Sequence, residues 1–425
     1  MLLAVVPSAL PHPRVARFST NRHVWGIIGA LAALVAGACP ASAQSIADKS
    51  TRSLLSFLDG RPAPKAMYAG DAECISCHQA KSDTYHQTAH ARTSSLPSAD
   101  SIRGKFSLGS NIFRTGNPDL FFVMEAKEKS FFQTGVLQTS PTTNVSRTER
   151  FDIVVGSGRK GQTYLYWNDN ALFQLPVSYW VEKREWVSSP GYAAGAIHFT
   201  RPIIPRCLEC HASTFEALAP PRNFYNKSTV VLGISCEKCH GPGSEHVTRY
   251  RSATPLTSHS AGAIVNPARL SRERQMDVCA FCHAGLGKSL TPPMSFIPGD
   301  VLAHHLEIPK PDLKAPIDVH GSQVQMLERS RCFQFSPTMT CSTCHDVHLP
   351  QRDAATMVSS CLKCHTVESC RIFPKLGHAI DQQCNTCHMP LQETAQIVLS
   401  NLNGRTLQPK VRNHIIGIYP EVSLP

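Results

Sequence analysis

Cys207-Leu-Glu-Cys210-His211 decides how this chain is read, because the same spacing returns at Cys236-Glu-Lys-Cys239-His240 and Cys279-Ala-Phe-Cys282-His283. Four more copies lie outward of these three: Cys74-Ile-Ser-Cys77-His78, Cys341-Ser-Thr-Cys344-His345, Cys361-Leu-Lys-Cys364-His365 and Cys384-Asn-Thr-Cys387-His388. Seven copies use 14 of the 17 cysteines and 7 of the 20 histidines. Two thiols separated by two residues reach both vinyl groups of one porphyrin as thioethers, and the adjoining histidine then sits beneath the iron as the proximal ligand. Zinc also binds Cys-x-x-Cys pairs but does not require a histidine directly after every second cysteine. The spacing therefore implies seven covalently bound haem c groups, with the 14 motif cysteines as attachment points and His78, His211, His240, His283, His345, His365 and His388 as iron ligands.

Six motifs fall between Cys207 and His388, about 30 residues per haem, too little polypeptide to wrap each porphyrin separately. The haems are expected to share a core, with porphyrin supplying apolar mass that side chains supply elsewhere. The 31 prolines fit short helices and many loops. The expected fold class is a multihaem cytochrome c, mainly short α-helices and loops around stacked haems, with an antiparallel β-rich insertion. That insertion is residues 104–195, which lack a motif. LFFVMEAK, SFFQTGVL, RFDIVVG, QTYLYW and ALFQLPV are β-branched and aromatic runs separated by turn residues. Gly156-Ser-Gly-Arg-Lys-Gly161 formally matches a dinucleotide loop, but the loop needs a helix after it and Gln162–Trp167 reads as a strand, so no nucleotide is expected. Arg159 and Lys160 are instead candidate partners for a haem propionate.

The expected domains are a signal peptide over 1–43, a linker over 44–70, a first-haem segment over 71–103, the β-rich insertion over 104–195 and a six-haem domain over 196–425. Arg14, Arg17 and Arg22 precede an apolar stretch from Val24 to Ala38, and Ala41-Ser42-Ala43 forms a cleavage site before Gln44. The stretch is short for a membrane span. The expected location is the periplasm or another exported compartment, with membrane association only through a partner. The formal charge of +11 falls to +8 without the three signal arginines. Seven ferric haems at about −1 each bring the protein near neutrality. The basicity does not point to nucleic acid.

Each iron needs a sixth ligand or an open position, and that choice separates carrier from enzyme. The chain beyond the signal retains eleven other histidines. His90, His246, His348 and His378 have informative placement beside motifs and are candidate distal ligands. His348 is too close to His345 to reach around the same porphyrin. His320 and His414 are further candidates, as is one of His304 and His305, with His305 the residue chosen. Cys332 and Cys370 remain outside the motifs and could pair with each other in an oxidising compartment.

The stretches AECISCHQAKSDTYHQTAHA, GISCEKCHGPGSEH, MTCSTCHDVH and CNTCHMP resemble the multihaem cytochromes related to the tetrahaem electron acceptor of hydroxylamine dehydrogenase. GSGRKGQTYLYW with QLPVSYW is similar to the β segment of larger relatives. The resemblance implies distal-ligand roles for His90 and His246. The expected function is a heptahaem electron carrier between redox proteins, with no catalytic residues singled out. The alternatives are an oxidoreductase acting on a small nitrogen or sulfur compound at one open haem, and a subunit of a polymeric or outer-membrane electron conduit.

Overall fold

Helix α1 (Asp71–Tyr85) carries the first motif and breaks at His78, where the backbone leaves helical geometry. A computed structural model describes residues 67–192, 197–218, 223–252, 264–308, 321–350, 353–401 and 405–420. The expected signal peptide and His320 lie outside the described residues, as does nearly all of the 44–70 linker. The described residues belong to one compact unit, Asp59–Pro425.

After α1 the chain builds two antiparallel sheets. Strand β1 (Ser94–Ser95) leads to a four-stranded meander of β2 (Ile112–Arg114), β3 (Leu120–Lys127), β4 (Ser130–Ser140) and β5 (Thr143–Arg150), in that spatial order. The second sheet holds β1, β6 (Ile153–Val155), β7 (Gly161–Asn168), β8 (Ala171–Gln174), β9 (Val177–Trp180), β10 (Glu185–Ser188) and β11 (Arg201–Pro202). Alternate residues of β3 and β4 point inward, so Phe122, Met124, Phe131, Tyr164, Tyr166 and Trp186 join in one aromatic core. Gly161 opens a strand rather than a helix, as the reading of Gln162–Trp167 required. Lys160 pairs with Glu182.

β structure extends beyond 104–195. The second sheet begins with β1 and ends with β11, and a further hairpin, β12 (Ala212–Ala217) with β13 (Tyr225–Leu232), lies among the motifs. Short helices carry most motifs. α2 (Pro205–His211), α3 (Cys236–His240), α4 (Ser244–Arg251) and α5 (Arg272–His283) follow in order. In the C-terminal part a 3₁₀ turn, Cys341–Thr343, and the helices Ala354–Cys361 and Cys384–His388 carry the last three motifs. Among the described residues, no helix is long and apolar enough to cross a membrane.

Candidate haem-binding site

Helical geometry explains the motif. On a helix, residues i, i+3 and i+4 share a face, so both cysteines and the histidine of Cys207–His211, Cys236–His240, Cys279–His283 and Cys384–His388 project together, and each helix ends at its histidine. The ring nitrogens are then set by neighbours. Nδ1 of His240 lies 2.9 Å from the Val265 carbonyl and Nδ1 of His388 lies 2.7 Å from the Gly417 carbonyl. Each therefore carries the proton at Nδ1 and leaves the Nε2 lone pair for a metal, the arrangement typical of ligating imidazoles. Nδ1 of His211 is 3.0 Å from Thr93 Oγ1.

The structure brings four motif histidines against a second histidine. His78 faces His246 with ring centres 6.4 Å apart and planes 22° apart, His240 faces His348 at 6.1 Å and 29°, and His345 faces His414 at 6.3 Å and 32°. His283 meets His90 at 6.0 Å with the rings nearly perpendicular, at 81°. Two imidazoles bound at about 2 Å to opposite faces of one metal have ring centres about 6 Å apart. The three near-parallel pairs are too far apart for face-to-face stacking, and all four separations have the span that two imidazoles on one metal would require. Burial lowers the affinity of His246, His348 and His414 for protons, and it lowers that of His90 although His90 keeps a solvent-accessible edge. A neutral imidazole is the ligating form. His414 Nδ1 also lies 3.1 Å from the Arg412 carbonyl.

Burial pushes the thiols of Cys207, Cys239 and Cys344 up. Cys74 and Cys236 are hydrogen-bonded neighbours, with the Cys74 thiol lowered and that of Cys236 raised. Asp71 lies beside both, within 4.8 Å. Cys210 pairs in the same way with Cys282, and Cys341 with Cys279. The first motif thus meets the third, and the fourth meets both the second and the fifth, so two of the three contacts skip a motif in sequence order.

What joins them are charged residues inside the motifs, which the sequence reading passed over. Glu237, the first variable residue of its motif, is buried and accepts hydrogen bonds from Ala69 N (2.8 Å), Gly70 N (2.9 Å) and Gly243 N (2.8 Å). Ala69 and Gly70 lead into α1, and Gly243 leads into α4, so one carboxylate aligns the helices bearing His78 and His246. Arg251 of α4 adds an ion pair to Glu73 of α1. In the second motif, Glu209 accepts from Met294 N at 3.0 Å and pairs with the equally buried Arg206 at 3.3 Å. Arg206 in turn donates to the carbonyls of Phe281 and Leu286, tying α2 to the end of α5. An acidic residue between motif cysteines was the only available signal.

The loop after α1 is knitted to the hairpin. Tyr85 Oη donates to the Ile234 carbonyl at 2.7 Å, Ile234 N donates to the His90 carbonyl at 3.1 Å, and Gly233 N donates to Ser94 Oγ at 2.9 Å. Gly233 has φ +74°, and a Cβ there would stand 2.3 Å from the Ala91 carbonyl oxygen. Only glycine lets the two segments approach this closely.

Two sequence candidates are placed otherwise. His378 is largely exposed; its Nδ1 lies 3.2 Å from Asp381 Oδ2 and its ring meets the edge of Phe373, not a motif histidine. His305 lies 3.1 Å from Thr291 Oγ1 and 3.4 Å from Asp300 Oδ2, and its ring packs on Phe296. In both residues Nδ1 is the nitrogen with a hydrogen-bonding neighbour, and the buried Nε2 of His305 has no hydrogen-bond partner among the described residues. Cys332 lies beside Cys344 and Cys361, while Cys370 lies beside Cys384 and Cys387, and neither forms a disulfide.

Residues 190–241, which contain the second and third motifs, match the family described as cytochrome c554 and c-prime. The chain is similar to multihaem c-type cytochromes. Among solved structures it resembles the outer cell wall cytochrome OcwA, at 15% identity and a TM-score of 0.48, over 82% of this chain and 79% of that one. It also resembles the undecahaem cytochrome from the S-layer of Carboxydothermus ferrireducens, at 17% identity and a TM-score of 0.36, over 80% of this chain and 55% of that one. No curated protein matches the chain.

Proposed function

We propose that this chain is a heptahaem c-type cytochrome that carries electrons between redox proteins in the periplasm or another exported compartment. The observation that carries the reading is the set of four histidine pairs with ring centres 6.0–6.4 Å apart, each joining a motif histidine to a distant one. A haem held by two imidazoles would supply one-electron ferric/ferrous chemistry. The residues supply the rest. His78 with His246, His240 with His348, His283 with His90 and His345 with His414 would each hold one haem and would close its iron against small ligands. The same closure disfavours an enzyme at these four sites.

A path through the chain supports the carrier role. Cys74 neighbours Cys236, Cys239 lies close to Cys279, and Cys279 adjoins Cys341. Cys344 lies near Cys364, and Cys361 near Cys384. Motifs one, three, four, five, six and seven therefore form a continuous series, with motif two joined at motif four through Cys210 and Cys282.

Low-temperature electron paramagnetic resonance of the oxidised protein tests the reading by counting spin states. At least four low-spin irons are expected. A high-spin iron that binds nitrite or hydroxylamine and turns it over would transfer the function to catalysis at that iron.

A further inference from the structure

The four-stranded sheet ends at β5, whose residues are exposed throughout except for the half-buried Glu149. An uncovered edge carries main-chain groups able to pair with another strand, and proteins usually block such edges with proline, charged side chains or a covering element. β5, Thr-Asn-Val-Ser-Arg-Thr-Glu-Arg, contains no proline, and its charges, Arg147, Glu149 and Arg150, are of both signs and so can complement a second copy of the strand. The direction of its main-chain groups follows from its pairing with β4. Phe151 N donates to the Phe131 carbonyl at 2.8 Å, so with a period of two Val145, Arg147 and Glu149 direct their main-chain groups toward β4. Asn144, Ser146, Thr148 and Arg150 direct theirs outward.

We propose that β5 pairs antiparallel with β5 of a second copy of this chain, about a two-fold axis at Thr148. Three facts set this register. Thr148 meets Thr148 of the second copy, and Ser146 meets Arg150, so outward-facing groups oppose outward-facing groups as a ladder requires. Arg147 then stands directly opposite Glu149 of the second copy, and symmetry repeats the pair. Both fall at non-hydrogen-bonded positions, where side chains approach closest and opposite charges stabilise the pairing. A two-fold axis at Arg147 or at Glu149 would instead put like charges face to face, and an axis at Ser146 would put Arg147 opposite Val145. Within one chain Arg147 and Glu149 already lie 2.8 Å apart on the same face, so the dimer surrounds its axis with four alternating charges. The exposed cross-strand neighbours Leu137 and Val145 lie on the same strands and add apolar surface beside it. The result is one continuous sheet of four strands from each copy, closed by the two-fold.

Sedimentation equilibrium of the full, haem-loaded chain, at concentrations up to about 1 mM, reads the association. A monomer–dimer equilibrium is expected. Thr148→Pro removes an outward N–H and should raise Kd by about tenfold or more. Arg147→Glu should raise Kd by about tenfold, and adding Glu149→Arg to it should restore the original value, with haem absorption unchanged in every variant. Under oxidation Thr148→Cys should give a dimer bridged through residue 148, found as the linked peptide by mass spectrometry, whereas Ser146→Cys should not bridge to itself. A chain that stays monomeric at all concentrations overturns the proposal. So does a dimer whose Kd ignores both Thr148→Pro and Arg147→Glu, or a Ser146→Cys chain that bridges as readily as Thr148→Cys.

Discussion

His90 meets His283 with ring centres 6.0 Å apart and planes nearly perpendicular, although one follows the first motif and the other ends the fourth. The other three pairs have planes within 32° of parallel. The His90 ring is placed by the hairpin rather than by its own motif, since Ile234 N holds the His90 carbonyl. Perpendicular imidazoles give a low-spin ferric signal unlike that of near-parallel ones, so His90→Ala should remove one distinct species from the paramagnetic resonance spectrum while the other low-spin signals persist. Loss of a signal of the near-parallel type would show that His90 serves another iron.

His246→Ala should leave every covalent attachment intact, because thioether bonds depend on the cysteines alone. It should create one additional high-spin iron that binds cyanide or carbon monoxide. An unchanged spin-state count would remove His246 from the iron opposite His78.

Glu237→Ala leaves the N–H groups of Ala69, Gly70 and Gly243 without their buried acceptor. An unsatisfied buried polar group costs about 1–3 kcal/mol. Thermal unfolding should fall accordingly. The first site should also become partly high-spin, because the carboxylate aligns α1 with α4. A variant that melts early but keeps its full low-spin count would confine Glu237 to stability.

Gly233→Ala combines a left-handed backbone with a methyl group directed at the Ala91 carbonyl. The backbone alone costs about 1–2 kcal/mol, and the collision adds to it. The expected outcome is a lowered melting temperature together with weakening of the His90 signal, read in the same spectrum.

Asp353 caps the helix Ala354–Cys361 by accepting from Ala355 N and Thr356 N, and these bonds hold its carboxyl below the usual aspartate range. A depressed folded-state value means that the cap stabilises above the ordinary aspartate pKa of about 3.9 and is lost as pH falls through the lower, folded value. Asp353→Ala should therefore melt below the unaltered protein at neutral pH, with the difference shrinking in acid. A difference that grows in acid would reverse the sign and refute the cap.

The β reading from sequence succeeded where one face is buried. Phe122 and Met124 alternate with more exposed neighbours in β3, and the period of two was legible in LFFVMEAK. It missed β5, because the face this strand turns to the core carries Arg147 and Glu149 and so has no apolar alternation to read. It also missed β12 and β13, which lie among the motifs where loops were expected.

The proposed attachment sites are legible in the sequence alone, since a thioether pair and its adjoining ligand need only positions i, i+3 and i+4 of one short segment. Which histidines come to face a motif histidine was decided by tertiary structure. A second imidazole must arrive from across the iron, and its arrival depends on contacts such as Glu237 with Gly243 and Ile234 with His90, made between segments far apart in the chain.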